Sequence, residues 1–600
     1  MNSRVAAASI ALLCAASLVA MPGAARATAA QDLDRLCQVY WQKTLERSPV
    51  TATSLGDHRW DDRLPDNSRA GIAAGRRDLA WTLDRAKHID VKALDPAGRV
   101  TRSALIETVS GQIGVIDCHL ENWQVDPRDG PQVDLMTLPD VTTITSFHEA
   151  QMYVARLHAI GRYLDAHIAN LRDGLAHGRT APLESVKRTR SELAELDHLT
   201  PDQWPLAEPS RNSHPRWTDS QNVWFQSNAV GAIRDVVRPA MARYDAFLRD
   251  KIEPRARPED RCGLSALPGG AESYQRLIRV HTSLDRTPQE LHQLGLREVA
   301  RIRQELSVLG RKVLGTSDVA AIQKKLRGDP AMHFASADEI EQKAKSTLER
   351  ARRAIPKTFG RLPKAHCQVK VMGAIESPNS TVAYYRQPAA DGSRPGYYMI
   401  NTWQPATRPR YEAEALAFHE SIPGHHLQIA IAQELTGIPE FRRHEGVTAF
   451  VEGWGLYSER LANEMGLYSG DVDRIGMLSY DAWRACRLVV DTGIHSMGWS
   501  RPRAIDYMTD NTVLAENNVA NEIDRYINDP GQALAYKVGQ LEILRLREDA
   551  KKRLGARFDL KQFHDVVLGN GAVALPVLRE QVEAWIARRS GGAPARTTKP

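Results

Sequence analysis

The chain has 600 residues, 42% hydrophobic and 25% charged, the balance of an ordinary globular protein rather than a disordered or fibrous one. Its 79 basic residues are interspersed with 73 acidic ones, leaving a net charge of only +6, and this excludes nucleic acid as a partner by composition.

At the N-terminus, Arg4 precedes a mostly apolar run from Val5 to Met21, followed by Pro22-Gly23 and Ala25-Arg26-Ala27. A charged start, an apolar middle and a small-x-small end are the layout of a secretory signal peptide. Residues 1–27 are therefore expected to be removed, leaving a periplasmic or secreted protein. Cys14 does not make a lipid-attachment signal, because Leu13 stands where that signal needs a small residue. No later run approaches the roughly 18 apolar residues of a spanning helix, so no stable membrane span is expected after cleavage. Cys37, Cys118, Cys262, Cys367 and Cys486 remain, widely spaced and without a CxxC pair, which argues against a cysteine zinc site. Export permits disulfides, and an odd number leaves at least one thiol unpaired within the chain.

Apolar residues recur three and four apart over 32–47, 70–87, 100–115, 147–172 and 228–251, which predicts helices there, the last kinked at Pro239. Pro, Gly and charge cluster over 254–268 and mark a subdomain boundary. Helices are predicted again over 288–309 and 336–355. The β-branched and aromatic stretches 380–385 and 396–402, separated by a polar turn, predict two neighbouring strands. Helices follow over 409–418 and 446–464, and the basic stretch 588–600 reads as a flexible tail. The expected fold is mainly α, a helical domain over 28–587 with a small β-sheet beside the candidate site.

That site is His419-Glu420-Ser421-Ile422-Pro423-Gly424-His425-His426. A catalytic zinc usually takes three protein ligands and keeps a fourth position for water. The common helical solution is H-E-x-x-H, since residues four apart share one face and the glutamate can serve as base. Here Pro423 occupies that fourth place and cannot ligate. On an ideal helix His426 would share the face of His419 but lie about 10 Å along the axis. Two nitrogens ~2.1 Å from one ion cannot be so far apart. His425 would point away on the same ideal helix. Pro423, however, cannot donate to the carbonyl of His419 and crowds it, while Gly424 opens further backbone angles. A bulge over 422–424 would turn His425 to the metal. In a helix over 449–459, Glu452 and Glu459 lie seven apart on one face. Phe450, Val451, Trp454 and Leu456 surround Glu452 with apolar bulk, where a carboxylate needs a charged partner or a metal. Glu452 is thus a candidate third ligand, and Glu445, in a more polar setting, is its rival.

The segments 419–428, 452–459, 491–499 and 530–539, with Leu55-Gly56-Asp57 and Leu64-Pro65-Asp66 near the start, resemble the bacterial family called domain of unknown function 885. That family is similar to the gluzincin metallopeptidases, among them thimet oligopeptidase and angiotensin-converting enzyme. The resemblance implies a helical body with a deep central channel. It also implies one zinc ion held by His419, His425 and Glu452, with Glu420 as general base in peptide hydrolysis. By analogy with gluzincins, His495 and Tyr536 are candidate donors to the oxyanion that develops on the scissile carbonyl. Arg525 or Lys537 is a candidate for binding a substrate carboxylate. The two strands resemble the edge on which such enzymes lay an extended peptide. The departure from H-E-x-x-H spacing leaves a second reading, an exported peptide-binding protein on the same scaffold without catalysis. Stoichiometric zinc would separate the two. No G-x-S-x-G elbow, P-loop or dinucleotide fingerprint occurs.

Overall fold

The spacing of apolar side chains becomes helix through most of the chain. The computed structural model describes residues 22–591 except 374–376, 378–380, 390, 391 and 393. The expected signal segment lies outside them as far as residue 21, and the first helix is Pro22–Arg47. Helices Arg69–His88, Pro96–Ile116, Phe147–Ala176 and Pro288–Leu314 occupy the stretches whose periodicity predicted them. Their starts are fixed locally. Ser146 with Glu149 and Thr287 with Glu290 each form a reciprocal cap that satisfies two orphan backbone donors. The stretch around Pro239 is not one continuous α-helix. A π turn at Ile233–Val237 leads into helix Arg238–Phe247, and this wider turn accommodates the donor that Pro239 lacks. Residues 592–600 lie outside the described residues, whereas Arg588 and Arg589, expected in the tail, belong to the last turn of helix Leu575–Ser590.

Buried side chains form two cores. One gathers residues from Val125 to Ile252; the other joins Leu33–Trp123 to Cys262–Ile586 and holds the candidate site. The stretch 254–268 follows the smaller core and carries only short 3-10 turns, such as Glu259–Arg261 and Leu264–Ala266.

The sheet has three strands in the order β1-β3-β2, with β1 Cys367–Val371, β2 Ala383–Arg386 and β3 Gly396–Ile400. β2 and β3 pair antiparallel, Ala383 opposite Ile400, as their neighbouring positions in sequence suggested. β1 was not expected. Its alternation Cys-Gln-Val-Lys-Val was present, but its parallel pairing with β3, Cys367 opposite Gly396, is a non-local contact. All five described cysteines are buried and free, with no disulfide among them. Among the described residues no helix is long and apolar enough to cross a membrane.

Two long helix pairs frame the site. Pro288–Leu314 lies along Asp471–Met497, and Thr448–Glu464 lies along Leu534–Leu554. In the second pair a Cβ on Gly539 would stand 1.8 Å from the carbonyl oxygen of Ala449. The backbones touch there, which carries Tyr536, one turn earlier, to the site.

Candidate metal centre

The motif is two helices rather than one bulged helix. Helix Ala413–Glu420 stops at the base candidate, and helix His425–Gln433 starts at the second histidine. This corrects the expected bulge at 422–424. Pro423 cannot extend the first helix, and the chain turns through Ser421 and Gly424 with non-helical backbone angles. A Cβ at position 424 would fall 1.9 Å from the carbonyl oxygen of His419, so only glycine fits. The turn is tied to the next helix, because the Pro423 carbonyl accepts from Trp454 Nε1 at 2.9 Å and from Ser458 Oγ at 3.1 Å.

The new helix start aims His425 at His419, with ring centroids 4.7 Å apart and planes nearly perpendicular. His426 faces the other way. Its Nδ1 meets the Tyr385 hydroxyl at 2.9 Å and its Nε2 meets the Ala365 carbonyl at 3.1 Å. Burial pulls the His426 pKa down to about 4. Glu452, from helix Thr448–Glu464, places Oε2 3.5 Å from His419 Nε2 and 3.5 Å from His425 Nε2. Glu420 also belongs to the cluster, with ligand atoms of His419, Glu420 and His425 all within 4.8 Å of one another. Its rival Glu445 is elsewhere, accepting from the Tyr40 hydroxyl at 2.7 Å.

These separations decide what the residues fit. Donors ~2.1 Å from one tetrahedral ion stand about 3.4 Å from each other, close to both distances at Glu452. The pairs are too long for hydrogen bonds. The other nitrogen of His419, Nδ1, donates to Glu459 Oε1 at 2.8 Å, which leaves Nε2 as a lone pair facing a carboxylate. Two lone pairs facing each other call for a cation between them. Without one, His419 takes a proton instead. Burial disfavours that charge, but Glu452 and Glu459 outweigh burial and hold the pKa up at about 9. Burial likewise opposes charge on Glu452, yet the two histidines hold its pKa well below the usual carboxylate range. The donor set therefore fits one zinc ion. Gly455 permits the packing, since a Cβ there would stand 2.7 Å from the His419 ring.

Glu420 is half-buried, and burial raises its pKa while His425 and His419 pull it back. The ring of Tyr536 stacks on His419 at 6.3 Å, and burial followed by the Glu452 charge raises its pKa, keeping the hydroxyl protonated at neutral pH.

Three expected residues have other employment. His495 is fully buried with both ring nitrogens occupied, by the Leu264 backbone N–H at 3.1 Å and the Tyr526 carbonyl at 2.9 Å, and burial lowers its pKa to about 3. It has no N–H left for an oxyanion. Lys537 is buried and donates to Asp481 at 2.5 Å and Gln540 at 2.8 Å. Arg525 donates to Glu522 and to Gln532. Glu459 had no assigned role in the sequence, although its place seven residues after Glu452 was visible there.

Fold and site together define a mainly helical protein with a His-Glu cluster that could hold a metal ion. The chain belongs to the family described as bacterial protein of unknown function 885, whose model matches residues 49–582. A protein of Colwellia psychrerythraea described as a candidate lipoprotein is 28% identical, with a TM-score of 0.85 over 94% of this chain and 99% of its own. One from Shewanella oneidensis, described as a candidate lipoprotein of unknown function, is 19% identical, with a TM-score of 0.71 over 91% and 99%. It shows the same fold. A Bacillus anthracis protein described as a candidate oligoendopeptidase F aligns at 10% identity with a TM-score of 0.29 over 86% and 94%, a likeness too weak to argue from. No curated protein matches the chain.

Proposed function

We propose that this protein is an exported zinc-dependent peptidase, a gluzincin-like hydrolase. One observation carries the reading: Glu452 Oε2 stands 3.5 Å from Nε2 of both His419 and His425, the spacing of three ligands around one tetrahedral ion. His419, His425 and Glu452 would hold the zinc, and Glu459 orients His419. Zinc, when bound, supplies the Lewis acidity that makes water a nucleophile near neutral pH. Glu420, not needed to complete the three ligands, takes the proton of the attacking water and passes it to the leaving amine. The Tyr536 hydroxyl donates to the oxygen of the scissile carbonyl as negative charge develops there. The outer edge of β2 is the place for an extended peptide. Export rests on the layout of residues 1–27 and accords with the descriptions of the two similar solved proteins as candidate lipoproteins.

Elemental analysis of the purified protein, followed by a peptide-library digest with and without a chelator, tests this. About one zinc per chain and chelator-sensitive cleavage are expected. A protein that takes up no zinc sinks the reading, and one that holds zinc but cleaves nothing favours the peptide-binding alternative.

The two adjacent histidines give a sharper test. His425→Ala should lose zinc, whereas His426→Ala, whose ring is engaged by Tyr385 and Ala365, should keep it. The reverse pattern in metal analysis would overturn the ligand assignment.

Zinc must also displace the proton on His419. In the metal-free protein this pKa is raised to about 9, above the ordinary 6.5, so the proton is favoured below that value and lost as pH rises through it. Zinc affinity should therefore climb with pH, by about tenfold per unit, and level off above about 9. Calorimetry at pH 7 in buffers of different ionisation enthalpy should read about one proton released per zinc; no release would contradict the protonated metal-free state.

A further inference from the structure

We propose that Arg484 and Arg487 form a carboxylate-binding subsite beside Tyr536, which takes the free C-terminal carboxylate of a peptide cleaved one or two residues from its end. The inference rests on the peptidase reading above and names its substrate class.

Both arginines project from helix Asp471–Met497, one turn apart, and are only 4% and 3% exposed. Arg484 Nε and Nη1 and Arg487 Nη1 have no hydrogen-bond partner among the described residues. Their flat faces are covered instead. Trp483 lies 4.1 Å from the Arg484 guanidinium and 4.4 Å from that of Arg487, and the Tyr536 ring lies 4.2 Å from Arg487. A ring stacked on a guanidinium leaves the in-plane N–H donors of Arg484 unspent, and their fork matches a carboxylate, whereas Arg487 spends Nε on the Tyr526 hydroxyl and Nη2 on Glu522 and keeps only Nη1 to add.

The local charge is positive. Arg484, Arg487 and Arg525 stand together, and Glu522 is shared by Arg487, Arg525 and the Tyr526 hydroxyl. Glu459, 3.9 Å from Arg484, adds a second negative charge: its Oε1 accepts from His419 and its Oε2 has no partner among the described residues, so two carboxylates face the three guanidiniums. Glu412, whose carboxylate accepts from Ser479 at 2.9 Å, is pushed by burial up to about 7 and is only partly charged at neutral pH. A buried cationic pair without full compensation costs stability, and such a cost persists where a ligand supplies the missing charge.

The position suits a substrate end. Tyr536 bridges the two centres, stacked on His419 at 6.3 Å and on Arg487 at 4.2 Å. Through Tyr536 the Arg487 guanidinium lies within about 10.5 Å of the His419 ring. One residue of extended peptide advances about 3.5 Å, so one or two residues fit between the scissile carbonyl and the carboxylate.

The test uses one N-acetylated pentapeptide made three ways: with a free C-terminus, as the C-terminal amide, and as the amide with glutamate in the last position. Zinc content, thermal unfolding and kcat/KM are measured on the wild type, Arg484→Gln, Arg484→Lys and Arg487→Lys. Binding is followed by calorimetry on zinc-loaded Glu420→Gln protein with and without Arg484→Gln. The free acid should be cleaved and bound at least about 30-fold better than the amide, the scale of a charge-assisted hydrogen bond. Arg484→Gln should bring the two within about threefold while zinc stays bound, and the lysine variants should fall between. If the glutamyl amide alone is favoured in an Arg484-dependent way, the subsite reads a side-chain carboxylate, and the C-terminal assignment fails. Equal cleavage and equal binding of acid and amide overturn the subsite and leave the peptidase reading standing. Arg484-dependent binding of the acid without cleavage of any peptide does the opposite. Should Arg484→Gln fail to fold, the two lysine variants decide, since each keeps the buried charge and loses the fork.

Discussion

Glu420→Gln is expected to fold, to bind zinc near normally and to lose at least about a hundredfold in kcat, the low end for removing a general base. The amide keeps the size of the side chain and cannot take a proton from water. Zinc should stay because three ligands are complete without Glu420: Glu452 Oε2 stands 3.5 Å from Nε2 of both histidines. The burial that raises the Glu420 pKa toward the range of a useful base acts only on an ionisable group, so the variant should also lose the acid limb of the pH–rate profile. Zinc content and kcat, measured on one preparation, check both parts. Full activity, or a loss of zinc equal to that of a ligand variant, would show that Glu420 is not the base.

Much of the helical body was legible because amphipathic spacing is local. Phe147–Ala176 and Pro288–Leu314 announce themselves by apolar periodicity and by the capping pairs at their starts. Positions that depend on distant partners were not. β1 needs β3, about thirty residues later, before its alternation means strand rather than turn. At the site, local stereochemistry pointed to His425 rather than His426 because Pro423 and Gly424 forbid an ideal helix between the histidines, and His425 is the one that faces His419. The form of the departure, a helix end and a fresh start rather than a bulge, depends on Trp454 and Ser458 catching the Pro423 carbonyl. His495 and Lys537 carried suggestive side chains in suggestive segments. What engages them comes from Leu264 and Tyr526 in one case and from Asp481 in the other, and no local pattern could reveal that.

The division between a ligand and its support is the other large expected effect. Glu452→Gln replaces a carboxylate, whose pKa the two histidines hold far down, with a neutral amide, a poor zinc ligand. Its zinc should dissociate readily, and activity should fall in proportion to lost metal. Glu459 touches no ligand position, but its carboxylate fixes the Nδ1–H of His419 and with it the lone pair on Nε2. His425 Nδ1 has no partner among the described residues, so preorganisation of the pair rests on Glu459. Glu459→Gln should therefore weaken zinc by about 10–100-fold, the range for removing such a support, and excess zinc should restore its activity. For Glu452→Gln the same excess should restore far less. Chelator competition gives the affinities, and peptide hydrolysis across a zinc titration gives the rescue. If Glu459→Gln binds zinc as tightly as the wild type, the hydrogen bond to His419 serves packing alone. If Glu452→Gln is the one rescued by modest zinc, the third ligand is another residue, and Glu420, the remaining carboxylate near those nitrogens, becomes the candidate.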